Sequence, residues 1–306
     1  MTPVNELRFR AMGSDAHLVV VGGSQDLLDD AVRRIDELEQ RWSRFIDSSE
    51  ICELNRRAGS EVAVSADTVL LVERAIEAWR LTGGGFDPTV LGSVLRAGYD
   101  VSFDELGANR PAGKSSSALL IGCTDIRVDG ETVGLPADTG FDPGGIGKGL
   151  AADIVIGELL AAGASGACVN LGGDLRVTGS TPNGESWTVA VEDPWTGAPI
   201  TLIGLSTGAV ATSTTLRRRW TIDGELRHHL IDPQTGEPSN SDLVLTTVIA
   251  GEAWMAEVMA KAILLRGSGR AFDIVDDRNV QALTIDVDGA VQTTPGFRQF
   301  TAATAS

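Results

Sequence analysis

Histidine and cysteine are scarce in this chain of 306 residues, three of each. Cys52, Cys123 and Cys168 are odd in number and widely separated, which excludes a disulfide framework and gives no zinc-ligand spacing. His17, His228 and His229 leave no third histidine at ligand spacing, so a metal site built from imidazoles is excluded too. No hydrophobic run approaches the roughly 18 residues of a membrane span, which argues against membrane insertion. Residues 1–8 hold no apolar h-region and no cysteine to lipidate, so the expected setting is cytoplasmic. Basic charge is short: 25 Lys and Arg stand against 42 Asp and Glu, a formal net charge of −17. A chain so acidic does not bind nucleic acid by general electrostatics, because the phosphate backbone needs a basic stripe. The rest, 42% hydrophobic and 22% charged, is the composition of a globular protein long enough for one large or two medium domains.

Glycine, by contrast, is plentiful, and four of the 36 cluster at 144, 145, 147 and 149 around one cation, Lys148. An apolar helical pattern follows (Leu150, Ile154, Val155, Leu159, Leu160), so the cluster lies at a helix N-terminus. Unpaired N–H groups and the helix dipole favour anions there, and glycine lets a ligand approach the backbone. A phosphate cradle is the expectation; a turn that only packs a helix on a sheet is the alternative. A Walker loop is excluded at both ends, by Asp142 in place of its first glycine and Gly149 in place of Ser or Thr. Residues 147–152 satisfy a loose Gly-x-Gly-x-x-Ala, and Asp174 follows roughly 20 residues on, as a dinucleotide fold would have it.

Along the chain, 16–21 reads as a strand, and Ser24 as the N-cap of an amphipathic helix carrying Leu27, Leu28, Ala31, Val32, Ile35, Leu38 and Trp42. A second helix opens after Ser65 and stops at the glycines 83–85; Asp87 and Pro88 start another that runs to about Leu95. Residues 101–117, polar and ending in three serines, are the expected mobile loop or lid. Short β-like runs fill 118–134, ahead of the glycine helix at 145–163. Strands are expected near 166–171, 174–179, 187–192, 200–205, 209–213, 226–231 and 243–250, then a helix at about 252–265 and a βαβ-like tail to about 293. This order lacks the βα alternation of a doubly wound sheet, so it predicts an α+β fold with mixed, largely antiparallel sheets and packed helices.

Two segments, 193–199 and 232–238, share the frame Asp-Pro-x-Thr-Gly-x-Pro and predict hairpin turns. The second follows His228 and His229, of which one at most faces a given site if they lie on a strand. That corner reads either as a ligand contact or as a solvent-exposed pair, whereas His17 lies in an apolar strand pattern and reads as structural. Arg217, Arg218 and Arg219 form either a solvated face or a site for a small anion. Asp87, Asp142 and Glu257 are the carboxylates placed to hold a hard cation such as Mg²⁺ beside a phosphate.

Taken in order over roughly 9–266, these segments resemble the FAD:protein FMN transferases, the ApbE-type flavin transferases. The resemblance is carried by Phe9, Met12 and Gly13; Trp42 to Phe45 with Ser49, Glu50, Ile51, Leu54 and Asn55; Gly85 to Val90; Asp142 to Asp153; Asn170 to Asp174; Ala211 to Ser213 with Arg217 and Arg218; and His228 to Gly236. It implies an ApbE-like fold across 1–306, as one domain or as two α+β subdomains with the FAD site between them. It further implies Mg²⁺-dependent cleavage of the FAD pyrophosphate, transfer of FMN to a threonine of an acceptor flavoprotein, and release of AMP. By motif, Met12, Phe45, Asn55, Gly85, Phe86, Asp87, Asp142, Gly145, Lys148 and Ile231 would contact FAD. His229 or His228 would act near the hydroxyl with Lys148 on the phosphates, and Gly145, Glu257 and Lys261 would hold the metal position.

The departure lies at 257 and 261, where the resembled family carries an Asp and a Thr on one helical face. Glutamate keeps a hard oxygen ligand, but an ammonium cannot ligate Mg²⁺. Either Glu257 holds Mg²⁺ while Lys261 points to a phosphate, or a Glu257–Lys261 ion pair fills the metal position. Thr214 also stands where that family has a glycine. The alternative function is accordingly an FAD-binding protein, or FAD pyrophosphatase, with an altered metal site and weak or no transfer. A Rossmann-type oxidoreductase is disfavoured by the strand order.

Overall fold

The computed structural model describes residues 2–107, 109–110, 120, 122–275 and 279–301. Eight strands form one sheet: β1 (Val4–Ala11), β2 (Ser14–Val21), β3 (Gly166–Leu171), β4 (Asp174–Gly179), β5 (Gly208–Thr214), β6 (Leu243–Ala250), β7 (Gln281–Asp286) and β8 (Val291–Thr293). Their spatial order is their chain order, and every neighbouring pair is antiparallel. The mixed character comes from a short parallel pairing of 221–222 with 109–110 in a separate small sheet. No helix among the described residues is long and apolar enough to cross a membrane.

The helices ride on long insertions into this meander. Between β2 and β3 lie α1 (Asp26–Trp42), α2 (Glu50–Arg56), α3 (Ala66–Leu81), α4 (Leu91–Arg96) and α5 (Gly147–Ala161); α6 (Ala253–Arg266) joins β6 to β7. Side-chain alternation splits the sheet into two buried faces. Leu18 and Val20 of β2 face the helices, while Val19 and Val21 face a hairpin made of Trp187–Glu192 and Pro199–Leu205. All eight residues of β6 are therefore buried.

Local chemistry explains most boundaries. The inward stripe of α1 is Leu28, Ala31, Ile35, Leu38 and Trp42, at helical spacing. Its N-cap falls on Gln25 without a side-chain bond, not on Ser24, whose Oγ turns to Asp26. Ser65 caps α3 by accepting from the Thr68 N–H, and its own hydroxyl donates to Glu50. Both Asp-Pro-x-Thr-Gly-x-Pro segments are hairpin turns, with Gly197 and Gly236 N–H groups donating to the carbonyls of Asp193 and Asp232 at 2.9 and 2.8 Å. The expected βαβ tail is not formed. After α6 comes a 3₁₀ turn at Ser268–Arg270 and then the β7–β8 hairpin, because β7 pairs antiparallel with β6. Of the expected lid, residues 108 and 111–117 lie outside the described residues.

Helices α5 and α6 cap each other. On α5, Asp153 accepts the Ala253 and Trp254 N–H groups at the start of α6, both at 2.9 Å. On α6, Glu257 accepts the Gly149 N–H at the start of α5 at 2.8 Å. Each carboxylate thus satisfies orphan donors at the positive end of the other helix. Burial pushes the Asp153 carboxyl up to about 6 from 3.8, against the two amides and Arg176, which pull it down. A carboxyl raised on folding binds its proton more tightly in the native state. Its contribution to stability is therefore greatest below its ordinary value and is lost as pH rises to about 6. Asp153→Asn is expected to remove that slope and to lower stability by about 2 kcal/mol, since the two N–H groups are accepted by different carboxylate oxygens and the amide would set an NH2 donor against one of them. Urea denaturation on both sides of this interval checks both effects.

Candidate active site

Clamps from distant segments build the glycine loop. Asn55 on α2 reads the backbone of Phe141 in both directions, accepting from its N–H at 2.7 Å and donating to its carbonyl at 2.9 Å. The Asp142 N–H donates to the Pro88 carbonyl at 2.7 Å, and its Oδ1 accepts from Gly144 at 2.8 Å. The Pro143 carbonyl then accepts from Gly145, Ile146 and Gly147, turning the chain into α5. At Gly149 a Cβ would lie 2.4 Å from the Ala253 carbonyl oxygen, so glycine is required where α5 crosses the start of α6.

This geometry corrects the simple phosphate cradle. The N–H groups of residues 144, 145, 147 and 149 are all taken within the protein, and the anion at the α5 N-terminus is the carboxylate of Glu257. Its other oxygen lies 3.4 Å from Lys148 Nζ, which also forms an ion pair with Asp174. Asp174 and Glu257 are only 4% and 5% exposed, so this triad holds two buried carboxylates on one ammonium. Burial pulls the Lys148 ammonium below its ordinary value, with Glu257 acting to restore it.

Two cavities meet here. One, of about 340 Å³, is apolar and aromatic, with Met12, Phe45, Phe86, Tyr99 and Phe103 among its walls. The other, of about 440 Å³, is the more polar of the two, with Asn170, Asp174, Thr212, Ser213 and Arg217 in its walls beside Leu175, Val189 and Val210. Gly144, Lys148, Arg218, His229, Glu257 and Lys261 line both, and so form the junction.

His229 and Arg218 reach the junction by different routes. His229 Nδ1 is buried without a hydrogen-bond partner, and burial, reinforced by Arg218 and Lys261, holds the imidazole well below its ordinary pKa. The ring is neutral at pH 7. Its neighbour His228 is tied to backbone on both nitrogens, to the Leu230 N–H at 3.2 Å and the Ser239 carbonyl at 3.1 Å, and lines neither cavity. The arginine run divides three ways. Arg217 points to Glu192, Arg219 donates to the Thr215 carbonyl, and Arg218 (φ +51°) turns to the Gly13 carbonyl. Met12, beside it, is also left-handed at φ +49°, a conformation that costs a non-glycine residue about 1 kcal/mol or more. Glu39 steadies that turn by accepting the Met12 N–H at 2.7 Å.

Of the residues named from sequence, Met12, Phe45, Phe86, Asp87 and Asp142 line the aromatic cavity, Gly145 the polar one, and Lys148, His229, Glu257 and Lys261 both. Asp87 is the buried cap of the turn Pro88–Val90, accepting the Thr89 N–H at 2.7 Å, and burial pushes its carboxyl up. Asn55, Gly85 and Ile231 line neither cavity. Asn55 clamps Phe141, Gly85 packs against the Thr82 carbonyl and Arg266, and Ile231 is buried with Val90, Val94 and Trp220. His17 is paired with Glu6, away from the site. Arg44 and Tyr99 were missed. The Arg44 guanidinium stacks on Phe45 and Tyr99 at 4.0 and 4.5 Å, with one terminal nitrogen buried and unpartnered. Its place within the segment 42–45, and the presence of a single tyrosine in the chain, were the available clues.

The expected metal position holds a lysine. Lys261 Nζ donates to the Gly144 carbonyl at 3.0 Å and lies where a Cβ on Gly145 would come within 2.5 Å of it. Burial lowers its pKa, while Asp142 and Glu257 act to raise it. Among the described residues there is no group of three or more His, Cys, Asp or Glu able to hold a metal, and no hydrogen bond or ion pair joins Glu257 to Lys261. Magnesium keeps near-octahedral oxygen coordination. Glu257 is shared between an amide and the Lys148 ammonium, Asp142 is engaged by the Gly144 N–H and lies beside Arg44 and Lys261, and an ammonium already stands on the Gly144 carbonyl, an arrangement that does not fit it. Of the two alternatives, the direct Glu257–Lys261 pair is likewise not formed: Glu257 meets Lys148 and the Gly149 N–H, and Lys261 meets the Gly144 carbonyl.

A sequence model of the ApbE family matches residues 12–284. The FAD:protein FMN transferase of Vibrio cholerae is 27% identical over 292 residues, covering 92% of this chain and 84% of that protein. The FAD:protein FMN transferase of Treponema pallidum is 27% identical over 290 residues, covering 88% and 80%. In three dimensions the chain is similar to the ApbE protein of Thermotoga maritima, with a TM-score of 0.85, 26% identity, and coverage of 98% of this chain and 100% of that one. With a family match that spans most of its length, and a fold that agrees, the chain belongs to the ApbE family.

Proposed function

We propose that the protein is an FAD:protein FMN transferase that joins FMN to a threonine hydroxyl of an acceptor protein and releases AMP. The observation that carries this is the junction itself, where an aromatic cavity and a polar cavity meet over Lys148, Lys261, Arg218 and a neutral, buried His229. A flat flavin ring suits the aromatic walls, where Arg44 offers a spare donor; the diphosphate lies at the cations, and the polar cavity admits the acceptor segment. The names of the relatives support the same reaction. The acceptor oxygen forms a bond to the FMN phosphorus, the bond from that phosphorus to the bridging oxygen breaks, and its electron pair leaves on AMP. The hydroxyl proton passes to the imidazole of His229 and then to the departing AMP phosphate. Positive groups fixed where charge develops on the phosphate oxygens supply the electrostatic part of catalysis.

Given FAD and an acceptor peptide containing threonine, the protein should release one AMP for each peptide that gains FMN. His229→Gln should lower AMP release by about 10²–10⁴-fold while leaving FAD affinity unchanged, the signature of a lost general base. AMP without modified peptide would mark FAD hydrolysis. Tight FAD binding with no AMP under any condition would sink the transferase reading in favour of an FAD-binding protein.

A further inference from the structure

We infer that the Lys261 ammonium is the resident counter-cation for the FAD diphosphate, standing where a divalent metal would sit, so that FAD is bound and FMN transferred without Mg²⁺. The inference rests on the transferase reading of the junction and concerns how that site meets its phosphates.

Charge at the junction carries it. Lys148 is engaged by two carboxylates, so the triad Lys148, Asp174 and Glu257 sums to one negative charge and cannot by itself receive a diphosphate. Of the cations that line both cavities, Lys261 and Arg218 are the two left to do so. The ammonium of Lys261 donates to the Gly144 carbonyl, which leaves two of its three N–H groups without a protein partner among the described residues. It lies 5.8 Å from the centroid of the Phe86 ring, in the wall of the aromatic cavity. The stem rises from α6 one turn after Glu257 and lines both cavities. A point charge with rotatable donors at the end of a helix-anchored stem is well suited to phosphate oxygens. The same charge, with Arg218 beside it, opposes a divalent cation at that position.

The test is FAD binding followed by flavin fluorescence, with riboflavin as the probe that lacks the diphosphate, in EDTA and in millimolar MgCl₂. Wild-type protein should bind FAD equally in both. Lys261→Met should weaken FAD by about 10- to 100-fold in EDTA, the loss of one charge-assisted contact, without affecting riboflavin. Lys261→Thr should weaken FAD in EDTA and recover it with Mg²⁺. Wild-type binding that tightens about tenfold or more with Mg²⁺, or FAD affinity that Lys261→Met leaves intact, overturns the inference. AMP release measured in the same buffers with the threonine peptide added keeps the two readings apart. Release that requires Mg²⁺ overturns the counter-cation and leaves the transferase; metal-free, Lys261-dependent binding with no AMP does the reverse.

Discussion

Lys148→Met should reduce AMP release by about 10²–10³-fold and also lower folding stability by about 3 kcal/mol, a joint loss that few surface lysines would show. The catalytic part follows from position, because Lys148 lines both cavities at the junction. The stability part follows from its partners. Asp174 and Glu257 are buried and share this one ammonium, and Glu257 also caps α5 through the Gly149 N–H. Removing the cation leaves two desolvated carboxylates facing each other. Breaking a buried ion pair costs about 3–5 kcal/mol because the surviving charge stays unpaired, and the partial exposure of the lysine places this case at the low end. Urea denaturation alongside the AMP assay checks both parts. Wild-type stability in the variant would show that the carboxylates find other partners and would remove the triad from the account.

Gly149→Ala carries the largest expected packing effect. The new methyl would lie 2.4, 2.5 and 2.7 Å from the Ala253 carbonyl oxygen, the Ala253 carbonyl carbon and the Trp254 nitrogen. All three are backbone atoms, so no side chain can swing aside, and α6 must move off α5. A loss of about 3 kcal/mol is expected, at the upper end for overpacking. Activity should fall with it, because Glu257 and Lys261 travel on the displaced helix. Gly157→Ala in the same helix is the control. A Cβ there meets nothing within 4 Å, so the change should stabilise by about 0.5–1 kcal/mol through helix propensity alone. Equal effects of the two substitutions on the melting temperature would falsify the close crossing.

Periodicity and turn chemistry carried the fold a long way. The strands 166–171, 174–179, 187–192 and 243–250 were readable to the residue, since each is a short apolar or alternating run bounded by Gly, Asp or Pro. Helices α1, α3 and α6 announced themselves by apolar spacing, and α3 also by its Ser65 cap, whereas the cap expected at Ser24 falls on Gln25. The tail after α6 was misread because a lone strand pattern does not state its partner; pairing with β6 decided its direction. The site divides along the same line. Residues whose role is local chemistry, such as the glycines of the loop and Asp87 as a cap, were visible as motifs. Residues whose role depends on what lies opposite were not. Asn55 is a clamp because Phe141 passes beside it, and Arg44 matters because Tyr99 folds against it.

The sequence by itself determined that this chain folds as an α+β protein with mixed, largely antiparallel sheets, that a glycine loop carrying Lys148 opens a helix, and that Glu257 and Lys261 share one helical face. These follow from backbone freedom, apolar spacing and short-range capping, all of which are local. Only the tertiary structure decided what those groups do. It spends the loop's amides inside the protein, assigns Lys148 to Asp174 and Glu257, separates His229 from His228, and sets the Lys261 ammonium against the Gly144 carbonyl. The reason is physical: the partner of a charge or an orphan amide is whatever the packed helices bring within about 3 Å, and sequence spacing does not contain that distance.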